Sequence, residues 1–152
     1  MKKWIALIIC LITLSVFGQE NILNKYEITE IFCNKKKLSG VCKENGTCLV
    51  FYSTKDSAVA MANVWQKDGS CSFGKIYNVQ DRIVKTLSGA KKKIFTFLWK
   101  YENTYDDKKG ALDVIFTVIK KSKEAFFTLK MTLENNVVYI LKGVEVAPQM
   151  EY

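Results

Sequence analysis

Histidine is absent from the 152 residues, proline occurs once, and the only arginine is Arg82. Each absence removes a class of chemistry. Without imidazole there is no Ser-His pair, no histidine general base and no His-bearing metal site. A lone arginine is a poor endowment for gripping phosphates and base edges, so no nucleic-acid partner is expected. Gly-rich phosphate loops, C-x-x-C pairs and calcium-loop spacing are also missing. No cofactor and no metal are therefore expected. Ser88, within Leu87-Ser88-Gly89-Ala90, lacks the glycine spacing of a nucleophile elbow and reads as a turn residue.

Long apolar runs are scarce too. The exception spans Trp4 to Phe17, behind Met1-Lys2-Lys3 and ahead of Gly18. Such a run makes about 21 Å of helix, which suits a signal-peptide core and falls short of a membrane span. Val16 and Gly18 supply small residues at the −3 and −1 positions, predicting cleavage after Gly18. Residues 1–18 are then a signal-peptide helix, and residues 19–152 a single all-β domain. Cys10 lies mid-run behind bulky Ile9, which argues against lipid anchoring. The expected product is exported, periplasmic or extracellular, with no membrane span after cleavage.

Of the 23 basic residues, removal of Lys2 and Lys3 leaves 21 against 15 acidic ones, a net charge of +6. Nearly all of it is lysine. The runs Lys35-Lys36-Lys37 and Lys91-Lys92-Lys93 fall where strands begin or end. They read as solvated turns and edge protection, or as contacts to an anionic envelope polymer or lipid that salt would weaken.

Four cysteines survive cleavage: Cys33, Cys42, Cys48 and Cys71. An even number in an exported chain predicts two disulfides. If the strands around Cys48 and Cys71 form a simple meander, those two flank a middle strand, roughly 9.5 Å apart and beyond disulfide reach. Two schemes remain, Cys33–Cys48 with Cys42–Cys71, or Cys33–Cys71 with Cys42–Cys48.

From Ile94 to Val146 the pattern alternates with a period of two. Phe127, Leu129, Met131 and Leu133 share one parity while Thr128, Lys130, Thr132 and Glu134 share the other. A two-residue turn at Ser122-Lys123 places Val118, Phe116, Val114 and Leu112 opposite that apolar set. A loop at Tyr105–Lys108 sets Phe95, Phe97, Trp99 and Tyr101 over Val118, Phe116, Val114 and Leu112. A second turn at Asn135-Asn136 directs Val138 and Ile140 inward and leaves Lys142 facing Leu129, with Gly143 suggesting a bulge that turns it out. Ile115, Ile119 and Phe126, with Tyr139 and Leu141 beside them, then form an outer apolar face that predicts either cover by another segment of the chain or a contact patch.

Upstream, strands are expected over Lys25–Cys33, Cys48–Thr54, Val59–Gln66 and Cys71–Asn78, with Asp81–Ala90 as a loop or short strand between the halves. About eight antiparallel strands joined by short links predict an up-and-down barrel or a two-sheet sandwich, with the barrel preferred. Ser88-Gly89-Ala90-Lys91 followed by Trp99-Lys100 is similar to the signature of periplasmic C-type lysozyme inhibitors, small disulfide-bearing barrels. The similarity covers about a tenth of the chain, and the order of strands and cysteines departs from that family.

The first functional expectation is a barrel that holds a small apolar ligand, lined by Phe95, Phe97, Trp99, Tyr101, Phe116 and Met131. The alternative is a cell-envelope or protein-interaction module, inhibitor-like barrels included. A glycoside-type hydrolase using Glu102, Asp106, Asp107 and Asp113 stands third, against the ordinary role of solvated turn acids.

Overall fold

The computed structural model describes residues 21–38, 46–65 and 67–146. The expected signal peptide and its expected cleavage site, with Cys10 and Cys42, lie outside the described residues. The first strands are β1 (Asn21–Cys33), the short β2 (Lys36–Lys37), β3 (Thr47–Ser53) and β4 (Val59–Trp65). They lead into the long β5 (Cys71–Lys85) and β6 (Lys91–Asn103). The chain finishes with β7 (Lys109–Lys121), β8 (Glu124–Thr132) and β9 (Val138–Val146). All pairings are antiparallel between sequence neighbours, β1 skips to β3, and β9 pairs back onto β1. The result is a closed eight-stranded up-and-down barrel, with β2 an added strand on β1.

One face of each strand supplies the interior. Tyr26, Ile28 and Ile31 from β1 meet Leu49 and Phe51 from β3 and Met61 from β4. Phe97, Trp99, Val114, Phe116, Phe127 and Leu129 complete the opposite wall. The indole N–H of Trp99 donates to the carbonyls of Met61 (3.1 Å) and Gly74 (3.2 Å), tying β6 to both β4 and β5. A Cβ on Gly74 would stand 1.8 Å from the Lys100 carbonyl oxygen, so only glycine admits that approach.

The β7–β8 hairpin has the expected register, with Lys121 opposite Glu124 and Phe116 opposite Leu129. Two neighbours differ. Phe95 pairs with Phe116 rather than Val118, because the β6–β7 loop closes at Asn103 and Lys108, leaving Thr104–Asp107 in the loop. A slide of two residues keeps every side chain on its face.

The β8–β9 hairpin corrects the sequence reading more deeply. Its loop holds three residues, since Leu133 N–H donates to Val137 O and Asn136 takes a φ of 62°. One extra residue exchanges the faces of β9. Leu141 pairs with Leu129 and Tyr139 with Met131, so both point inward, while Lys142 pairs with Thr128 and is exposed. No bulge in β9 is needed to free Lys142. The irregularity sits on β1 at Thr29, and Gly143 faces Phe127, where a Cβ would meet Glu27 O at 1.8 Å.

The segment expected to link the halves is instead the far half of β5 and its turn. Asn78 adopts a φ of 55° and the β5–β6 register shifts between Tyr77 and Gln80, a bulge that hides the strand's alternation. Beyond it β5 continues to Lys85, paired with Lys91.

Candidate functional site

The six residues expected to line a ligand chamber lie together on the inner wall. Phe97, Trp99, Phe116 and Met131 belong to the buried core, with Phe95 and Tyr101 partly buried against it. The facing wall reaches them. The Phe51 ring centroid lies 5.0 Å from that of Phe116, and Tyr26 lies 5.2 Å from Phe116 and 5.0 Å from Phe127. Aromatic contacts of this kind fill space between walls. Burial, with Glu145 nearby, pushes the Tyr26 hydroxyl well above the usual tyrosine range, so the ring stays neutral.

Space remains at the end of the barrel that carries the β6–β7 and β8–β9 loops. An open recess of about 340 Å³ is lined there by Tyr101, Gly110, Leu112 and Leu133, with Lys109 and Glu134 at its rim. On the inner face of β3 and β4, the buried side-chain oxygens Thr47 Oγ1 and Asn63 Oδ1 have no hydrogen-bond partner among the described residues.

Register separates the cysteines. Cys48 pairs with Val64 and Val64 with Cys71, so the two flank the middle strand as the meander requires. Both face away from the core, in a second buried cluster with Val50, Tyr52 and Val64. Cys33 lies six residues along β1 from Glu27, the partner of Cys48, a span of roughly 20 Å. That exceeds any disulfide, so neither expected two-bond scheme fits this barrel. No disulfide joins Cys33, Cys48 and Cys71 among the described residues.

The acids around the β6–β7 hairpin have ordinary surface partners. Glu102 lies 3.5 Å from Lys109, and Asp106 Oδ1 accepts from the Lys108 amide at 3.0 Å, which holds its carboxyl below the usual range. Asp113 pairs with Leu98, four residues along β6 from Glu102, roughly 13 Å of strand. Those two are too far apart to share one glycosidic bond.

The opposite end of the barrel differs in kind. Pairing of β4 with β5 stops at Lys75, and from Ile76 to Lys85 β5 has only β6 beside it among the described residues. Tyr77 to Lys85 are all exposed. At the apex, Thr86 N–H donates to Ala90 O and Gly89 takes a φ of 81°, a three-residue loop that presents Leu87 fully exposed. The Ser88-Gly89-Ala90-Lys91 tetrapeptide is thus the turn of a projecting hairpin.

Charge collects here. The hairpin carries Arg82, Lys85, Lys91, Lys92 and Lys93 against one acid, Asp81, which lies 3.9 Å from Lys93. Pairing of Lys92 with Ile119 brings the β7–β8 turn alongside, adding Lys120, Lys121 and Lys123 against Glu124. These eight cations and two acids sum to +6. The other residues of the chain hold 15 basic and 13 acidic side chains, so six of its eight net positive charges sit at this one pole. Apolar side chains share it: Ile83, Val84, Leu87 and Phe126 are all exposed. Among the described residues no segment covers Ile115 and Phe126, both of which are exposed, and Leu141 is inside the barrel. Sequence reading noted the lysine run at 91–93 but missed its union with 120–123, which the β6–β7 pairing creates.

Comparison with protein-family models, with curated proteins and with solved structures gave no match.

Proposed function

We propose that the protein is an exported, non-catalytic interaction module that docks on an anionic component of the cell envelope. The observation that carries this reading is the concentration of its net charge at the β5–β8 pole. A scattered excess of lysine is a solvated surface; an excess gathered beside exposed apolar side chains is a contact surface. The ring contacts of Tyr26 and Phe51 with Phe116 support the same reading, because they occupy space between the walls that a ligand would need. The test is retention of the purified protein on envelope fractions of its host over a salt series. Retention should fall steeply as salt rises, and retention indifferent to salt would sink the idea.

A second reading is a small apolar ligand held at the other end of the barrel. It is favoured by the recess beside Tyr101 and Leu112 and by the unpartnered Thr47 and Asn63 oxygens. Native mass spectrometry of protein recovered from its host decides it. A bound mass lost on Leu112→Trp supports it, and bare protein argues against it.

A further inference from the structure

The β5–β6 hairpin combines two properties that separate one anionic partner from another. Its apex side chain, Leu87, is fully exposed, and Ile83 is 64% exposed on the strand leading to it. Cations form the next layer back: Lys85 pairs with Lys91, Val84 with Lys92 and Ile83 with Lys93. A polyanionic polymer would engage the lysines and leave the apex in water. A bilayer offers both layers in matching order, hydrocarbon beyond a sheet of phosphates.

Resting on the interaction-module reading above, we infer that the partner is an anionic phospholipid bilayer, which Leu87 enters while the surrounding lysines contact the headgroup phosphates. The hairpin is built for reach. Its bulge at Asn78 lies where β5 leaves β4, and from there only β6 accompanies it. Among the described residues nothing covers β5 from Tyr77 to Lys85, all of which are exposed. The β7–β8 turn stands beside it, so Lys121 and Lys123 approach the same plane. Phe126, on the third rung below that turn, has Lys121 Nζ 5.9 Å from its ring centroid. It supplies a second apolar group under a cation.

The energetics fit a reversible contact. Three lysines near an anionic surface are worth about a hundred-fold in affinity, and one buried leucine about ten-fold or more. Neither alone anchors a protein, and together they give binding that salt can undo.

The experiment is co-sedimentation of the exported protein with vesicles of equal phosphatidylglycerol and phosphatidylcholine, against phosphatidylcholine alone. Binding is expected to the anionic vesicles only and to fall with salt. Leu87 touches no core residue, so Leu87→Ser keeps the fold and should weaken binding about ten-fold. Replacing Lys91, Lys92 and Lys93 by Gln should weaken it about a hundred-fold. Leu87→Trp should show a blue-shifted emission on the anionic vesicles. Unchanged binding by Leu87→Ser, or an unshifted tryptophan, overturns insertion. Failure on vesicles with salt-sensitive retention on lipid-stripped envelope overturns the lipid and leaves the module reading standing. Failure on both removes that reading as well.

Discussion

Leu141 lies directly across from Leu129, and the two are almost wholly buried in the barrel core. That one pairing fixes the face of every residue on β9. Leu141→Ala should cost about 2–5 kcal/mol, as for other large-to-small core changes. Ile140→Ala, on the outer face, should cost about 1 kcal/mol or less. Urea denaturation of the two variants checks this, and a reversed order would restore the two-residue turn.

Trp99 depends on Gly74 twice, through its indole hydrogen bond and through the space that the missing Cβ leaves for the Lys100 carbonyl. Trp99→Phe removes the donor from the buried Met61 carbonyl and the part-buried Gly74 carbonyl and should cost about 1–3 kcal/mol. Gly74→Ala should cost at least as much, because backbone rather than a flexible side chain stands in the way. An alanine variant as stable as the parent contradicts the close approach.

Asp56 is held down to about 2, from an ordinary 3.8, by the Lys75 ammonium at 2.7 Å and by the Thr54 hydroxyl. A depressed carboxyl favours the folded state above its unfolded pKa. That contribution is therefore complete above pH 3.8 and drains away as the pH falls toward 2. An NMR titration of the Asp56 carboxyl should show the low midpoint, and Lys75→Gln should raise it. A parent midpoint at the ordinary value refutes the pairing.

Cys71 is buried, and burial pushes its thiol above the usual range. Cys33 is partly exposed at the C-terminal end of β1. Alkylation of the folded, reduced protein should label Cys33 well before Cys71. A non-reducing peptide map should contain neither a Cys33–Cys48 nor a Cys33–Cys71 link, and finding either would break the register of β1.

The strands from β6 to β8 are legible in the sequence because each buries one face, so Phe127 to Leu133 and Phe95 to Tyr101 alternate cleanly. Turns are less so. Three hairpins close through three residues with the last one left-handed, at Ser57, Gly89 and Asn136. Only Gly89 announces that conformation by its type. At Asn135-Asn136 the residue types suit a two-residue turn equally well, and the one-residue difference inverts β9. The far half of β5 shows no period because Tyr77 to Lys85 face water on both sides. The cationic pole is invisible for another reason: Lys92 and Ile119 are 27 positions apart, and adjacency is made by pairing.

The open margin of β5, from Ile76 to Lys85, has no strand paired along that side among the described residues. Such margins invite other chains to add a strand and aggregate. Here Arg82 and Lys85 punctuate the row and the kink at Asn78 bends it. A second molecule arriving edge to edge would bring its own cations against them. The hairpin that reaches outward thus repels its own kind, and a protein crowded onto one surface can remain a field of separate barrels.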